Sequence, residues 1–154
     1  MTVFREGKHL GDTDASELRI LDLRTGVLSP VPSSQGIGGA FWVNEDTIVA
    51  AYDFKKVLAF NFKTTHWSEL LSGQIANWMP SPDGKYLYYS TGGADPEARR
   101  FRVGDHHVEK ITSLKNLRRV NNRGTQISVA PDGAPIFTRD IGTQEIYALT
   151  IKWP

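Results

Sequence analysis

The chain contains no cysteine, which removes disulfides, cysteine–zinc centres and thiol catalysis together. It does not assign a compartment, because cytosolic and periplasmic proteins can both lack the residue. No apolar run approaches the ~18 residues needed to span a bilayer. The opening Met1-Thr2-Val3-Phe4-Arg5-Glu6 lacks the apolar centre of a signal peptide. An export signal would therefore lie upstream, making the chain periplasmic with such a signal and cytoplasmic without one. Excess charge is scarce as well: the formal net charge is +1, so there is no electrostatic case for nucleic acid or a membrane surface as partner. Long helical patterns are missing. So are a Gly-x-Ser-x-Gly elbow and a phosphate-binding loop, since Gly36-Ile37-Gly38-Gly39 is followed by a strand pattern and no Lys-Ser/Thr pair.

What is present is strand. Hydrophobic residues make up 40% of the 154 residues, with four Trp, five Tyr and seven Phe, enough for one domain with a sizeable core. Alternating apolar residues, many of them β-branched or aromatic, are bounded by Gly, Pro, Asn and Asp. One unit reads Gly38–Val43, turn Asn44-Glu45-Asp46, Thr47–Tyr52, Lys56–Phe62 and Trp67–Leu71. The next repeats the order: Ile75–Met79, turn Pro82-Asp83-Gly84, Tyr86–Ser90, Arg99–Val103 and Val108–Thr112. The turn returns once more as Pro131-Asp132-Gly133, and Leu21-Asp22-Leu23-Arg24-Thr25-Gly26 returns as Phe60-Asn61-Phe62-Lys63-Thr64-Thr65.

A four-stranded unit recurring about every forty residues is the period of a propeller blade. Such a unit cannot bury both faces alone and must stack on copies of itself. The fold class is therefore all-β, a β-propeller of about three to four four-stranded antiparallel blades, at approximately 1–35, 36–73, 74–115 and 116–154. The ends are incomplete. The front supplies Val3–Glu6, Glu17–Leu23 and Val27–Val31; the back supplies Thr125–Val129, Pro135–Arg139 and Glu145–Ile151. That makes about fourteen strands where four blades need about sixteen, lacking an innermost strand in front and an outermost strand behind. The expectation is a partial or half propeller, completed by an N-terminal half, by self-association or by a partner. A compact four-bladed disc is the alternative.

Each candidate for chemistry has a structural reading. In Pro82-Asp83-Gly84 and Pro131-Asp132-Gly133, Pro presets φ, Asp bonds the main chain and Gly supplies positive φ, so the two acids read as turn residues. His66, His106 and His107 fall at hairpins, and adjacent strand residues point to opposite faces, which makes a poor chelate. Asp12-Thr13-Asp14 alternates carboxylates as calcium loops do but lacks the later glycine and glutamate. No metal and no cofactor is expected. Trp42 and Trp78 lie on the first strands of successive blades, where packing between blades is the expected role and ligand stacking at a channel mouth the alternative. Those first strands carry no Asp, Glu or His, which argues against lyase or lactonase chemistry in a channel.

The Ser-Pro-Asp-Gly-Lys turn between a Trp-containing and an aromatic strand, with Asp22-Leu23-Arg24-Thr25-Gly26, resembles the TolB-like, WD-repeat-like β-propeller family. The Gly-His and Trp-Asp dipeptides of true WD repeats are absent, and the second unit carries Asn44-Glu45-Asp46 where Pro-Asp-Gly is usual. The last stretch, from Leu117-Arg118-Arg119-Val120 through Thr138-Arg139-Asp140 to Ala148-Leu149, resembles the C-terminal ends of large bacterial sensor proteins. In these a winged-helix or serine/threonine kinase domain precedes a TolB-like propeller. The resemblance implies a fold and a domain context, signal transduction, and no catalytic residue in this segment.

One charge asymmetry stands out. Between Arg99 and Arg123, eight bases face two acids, Asp105 and Glu109. Arg118, Arg119 and Asn122 fall in the connection between blades, with Asp95 and Arg99 from the neighbouring loop. This basic rim is a candidate surface for an acidic protein segment or a phosphate-bearing ligand. The function expected is a non-catalytic platform that binds a protein or small ligand through its inter-blade loops. The alternatives are the accessory propeller of a prolyl-oligopeptidase-like hydrolase and a pure assembly scaffold.

Overall fold

A computed structural model describes residues 17–53, 55–118 and 125–143 in full, and the backbone of Thr2–Glu6. Thirteen strands are described: β1 (Thr2–Glu6), β2 (Glu17–Leu21), β3 (Leu28–Pro30), β4 (Ile37–Asn44), β5 (Thr47–Tyr52), β6 (Lys56–Asn61), β7 (His66–Ser72), β8 (Ile75–Pro80), β9 (Tyr86–Thr91), β10 (Glu97–Arg102), β11 (Val108–Ser113), β12 (Ile127–Val129) and β13 (Pro135–Phe137). They form four antiparallel sheets in simple sequential order: β1-β2-β3, β4-β5-β6-β7, β8-β9-β10-β11 and β12-β13. Among the described residues the fold is all-β, with two four-stranded blades between a three-stranded and a two-stranded sheet. The strand expected at Glu145–Ile151 lies outside the described residues. Among the described residues no helix is long and apolar enough to cross a membrane.

Several strands are shorter than the pattern suggests: β2 ends at Leu21, β3 spans Leu28–Pro30, β6 ends at Asn61 and β13 ends at Phe137. Beyond β3, Val31 N still donates to Leu18 O at 2.8 Å. β12 begins at Ile127 rather than Thr125. The carbonyl of buried Thr125 instead accepts hydrogen bonds from Asn77 Nδ2 and Ser90 Oγ, both at 3.1 Å, in the preceding blade.

The core lies between sheets. In β5, Ile48 and Ala50 face the first blade, where they join Leu18, Ile20, Val31, Ile37 and Phe60. Val49, one residue out of phase, faces the third blade and joins Val57, Ala59, Ile75, Leu87, Tyr89 and Phe101. Alternation with apolar residues on both faces is what a blade with two neighbours requires. Trp42 stacks on Phe62 at 5.3 Å on the first seam, and Trp67 Nε1 donates to Pro32 O at 2.8 Å across it. The third seam is more polar: besides the Thr125 contacts, Tyr88 Oη donates to Gly133 O at 3.0 Å.

The turns repeat as their chemistry dictates. Gly84 N donates to Ser81 O and Gly133 N to Ala130 O, each at 2.9 Å, and Asp83 and Asp132 accept from Lys85 N and Ala134 N. Gly84 has a second duty. At φ +68° it lies so close to the second blade that an added Cβ would sit 2.3 Å from Val43 O. The β8–β9 turn is thus a contact between blades. At the β2–β3, β6–β7 and β10–β11 hairpins the left-handed position is held by Gly26, Thr65 and His106 in turn.

Two outcomes follow. Gly84→Ala should cost about 3 kcal/mol, joining left-handed strain to a backbone clash, whereas Gly26→Ala, at φ +70° with nothing within 4 Å, should cost about 1 kcal/mol. Urea unfolding compares them, and equal losses would show that the close approach to Val43 carries no weight. The second outcome concerns acid. Hydrogen bonds from Ser81 Oγ and then Lys85 N hold the Asp83 carboxyl below its ordinary 3.8. A lowered folded-state pKa stabilises above the unfolded value and is lost as pH falls through the folded one. Melting temperature should therefore decline as pH drops below about 4, and Asp83→Asn should flatten that decline. An unchanged slope in the variant would rule out Asp83 as a contributor.

Candidate functional site

The antiparallel order puts the inter-blade connections and the middle hairpins (β5–β6, β9–β10) at one end of the blades, and the other hairpins at the opposite end. The basic residues expected at the first end are engaged by acids. Arg99 Nε donates to Glu97 Oε2 at 2.8 Å, and Lys110 Nζ contacts the other oxygen of the same carboxylate at 2.7 Å. The two cations, Lys110 foremost, hold Glu97 below its ordinary pKa. Lys115 Nζ meets Asp95 at 2.7 Å in the β9–β10 hairpin. Arg118 bonds Asp140 at 3.0 Å and donates to Gly142 O at 2.6 Å, while Asp140 N donates back to Arg118 O at 2.9 Å. Arg118 thereby ties the inter-blade connection to the loop after β13. Arg100 pairs with Glu109 and lies 4.6 Å above the Tyr86 ring, and Arg102 bonds Asp105 at 2.9 Å. Arg119 and Asn122 lie outside the described residues. The structure therefore brings Asp95 to Lys115 and Arg118 to Asp140, and Arg99 faces Glu97.

A cleft of about 590 Å³ opens at that same end, between the second and third blades. Its walls are the first strands β4 and β8. Where β12 runs close along β8, β4 and β8 stand farther apart. Phe41 from β4 and Trp78 from β8 bridge the gap edge to face, with ring centroids 5.3 Å apart at 84°. Such a pair contributes about 1 kcal/mol beyond its buried area, and it forms the floor. Trp78 thus serves the packing role expected of it and also lines the cleft.

Both walls are bulged at this level. The β4–β5 register slips between Gly38 and Phe41, so Gly39 and Ala40 oppose Ala50 alone. The β8–β9 register slips between Ile75 and Asn77, leaving Ala76 extra. A bulge leaves main-chain groups without ladder partners and re-aims the strand. Gly39 makes the first possible: φ is +61° and nothing lies within 4 Å of an added Cβ. The rim adds Gln35, Asn77, Tyr52, which is 45% exposed, and two charged side chains, Asp53 and Lys56. Lys55 meets Asp53 at 3.3 Å, and Glu69 meets Lys56 at 2.6 Å. No group of three His, Asp or Glu side chains able to hold a metal ion occurs among the described residues. The bulges and the cleft have no plain sequence signal beyond the glycines of Gly36-Ile37-Gly38-Gly39.

No protein-family model matches the sequence, and comparison with curated proteins gives no match. Solved structures do. The chain is similar to TolB from Acinetobacter baumannii, with a TM-score of 0.66 and 22% identity over 84% of this chain and 33% of that one. It is similar to an oligogalacturonate lyase in complex with manganese, with a TM-score of 0.59 and 16% identity over 77% of this chain and 34% of that one. The tricorn protease gives a TM-score of 0.55 and 14% identity over 85% of this chain and 13% of that one. The chain spans about a third of the length of the first two. The fold is that of a TolB-like β-propeller, present here as part of such a ring.

Proposed function

We propose that the chain is a non-catalytic binding module, acting through the propeller end that carries the inter-blade connections and middle hairpins. One observation carries this reading: a cleft of ligand size between two blades, with an aromatic floor and bulged walls. Sites of this kind are concave and largely apolar with a few placed polar groups. Catalysis by the metal or acid–base routes would need converging titratable groups. Among the described lining residues Asp53 is the only carboxylate, and it faces Lys55. In the domain context that the sequence resembles, binding here would bias an upstream winged-helix or kinase domain of a bacterial regulator. Asp95, Arg99 and Arg118 would border the contact as ordered loop supports.

The test is thermal stabilisation of the 154-residue chain by a panel of metabolites and short peptides. A ligand at 100 times its Kd should add about 2.7 kcal/mol, raising the melting temperature by roughly 5–10 °C for a chain of this size. Tyr52→Ala, on an exposed side chain, should remove that shift without altering the unliganded melting temperature. A panel with no stabilising member, or a shift indifferent to Tyr52→Ala, would count against the cleft as the contact site.

A further inference from the structure

Resting on the reading of the cleft as a binding site, we infer that its ligand is a neutral saccharide. Both charged side chains of the lining already have partners: Lys56 is bonded to Glu69 and Asp53 faces Lys55, so neither a phosphate nor an ammonium finds an unengaged counter-charge among these side chains. A ligand held here must be recognised by neutral groups.

The neutral groups are of two kinds. Aromatic surface comes from Tyr52 and Trp78. Hydrogen-bonding capacity comes from the Gln35 amide, the Tyr52 hydroxyl and main-chain groups at the two bulges. The electron-rich face of an aromatic ring attracts the weakly positive C–H groups on one face of a pyranose. The hydroxyls around the sugar's edge then need donors and acceptors in mixed order, which an amide, a phenol hydroxyl and peptide groups supply.

Two other neutral classes fit less well. A flat heteroaromatic ligand is gripped between parallel rings, and Phe41 and Trp78 stand at 84° to each other, so they form a corner and not a slot. An extended peptide would add to the outer edge of β4 or β8 through evenly spaced main-chain bonds. The bulges at Gly39–Ala40 and Ala76 break that spacing on both strands. A cleft of about 590 Å³ lies within the size range of small-molecule sites.

The experiment is isothermal titration of the 154-residue chain with four probe classes. These are neutral cellotetraose, maltotetraose and chitotetraose; anionic tetragalacturonate; adenosine as the flat aromatic; and tetra-alanine as the extended peptide. The expected result is binding of at least one neutral tetrasaccharide, weakened about fivefold or more by Tyr52→Ala, the loss of one aromatic contact. Trp78→Phe, which keeps a ring in the floor, should weaken it less. Circular dichroism and unliganded melting of the variants exclude misfolding as the cause. Binding of adenosine, tetra-alanine or tetragalacturonate alone, abolished by Tyr52→Ala, overturns the saccharide inference and leaves the binding-module reading intact. Neutral saccharides that bind wild type and Tyr52→Ala equally overturn the inference by placing the sugar elsewhere. No binding by any class overturns the inference, and the broader metabolite panel then decides the binding-module reading separately.

Discussion

Everything in this molecule depends on sheets that are apolar on both sides. Ile48 and Ala50 on one face of β5, and Val49 on the other, leave the second blade no way to hide its surface except between neighbours. The face-to-face stacking of blades is therefore a condition of folding, not a consequence of assembled hairpins. It explains why the tightest local feature, Gly84 against Val43 O, sits where one blade's turn meets the preceding blade's first strand. It also explains why the seams differ. The first two are filled by side chains of Leu, Ile, Val, Phe and Trp, whereas the third relies on Asn77, Tyr88 and Ser90 donating to the main chain of the following blade.

The blades were legible in the sequence because their signals are local. Period-two alternation, Pro-Asp-Gly turns and the Asp22 and Asn61 that open two successive third hairpins are all read within a few residues. Equivalent positions can be followed from unit to unit even where the residue changes. Gly26, Thr65 and His106 share one left-handed conformation because the hairpin geometry demands it and the flanking Asp22, Asn61 and Asp105 brace it. Strand ends were less legible. Thr125 looks like strand, but its carbonyl is taken by side chains from another blade, and no local pattern announces that.

Charge was legible as a count but not as an arrangement. A window from Arg99 to Arg123 contains two acids, yet the partners of Arg99, Lys110, Lys115 and Arg118 are Glu97, Asp95 and Asp140, all outside that window. Antiparallel pairing sets β10 against β11 and brings the loop after β13 back to Arg118, so sequence distance says little about which charges meet. These residues order the loops at the end where the cleft opens. Exposed pairs of this kind add little stability singly; they tie neighbouring elements, as Arg118 ties the inter-blade connection to the loop after β13.

The cleft shows why a binding site can be absent from motif searches and still follow from physics. A bulge is a difference in register between two strands, and a single strand read alone does not reveal it. Here two bulges fall near the same level on consecutive first strands, beside the space that separates them. The next seam is closed instead, with β12 running close along β8. The Phe41–Trp78 pair then does two things at once: it restores the apolar contact that the parted strands would lose, and it presents aromatic surface to whatever enters. The seam is stable because it is filled from below by those rings. It is open above because Gly38, Gly39 and Ala76 put almost no side chain into it. Stability of the stack and concavity of the site therefore come from the same residues, and the small side chains of Gly36-Ile37-Gly38-Gly39 are explained by that joint requirement.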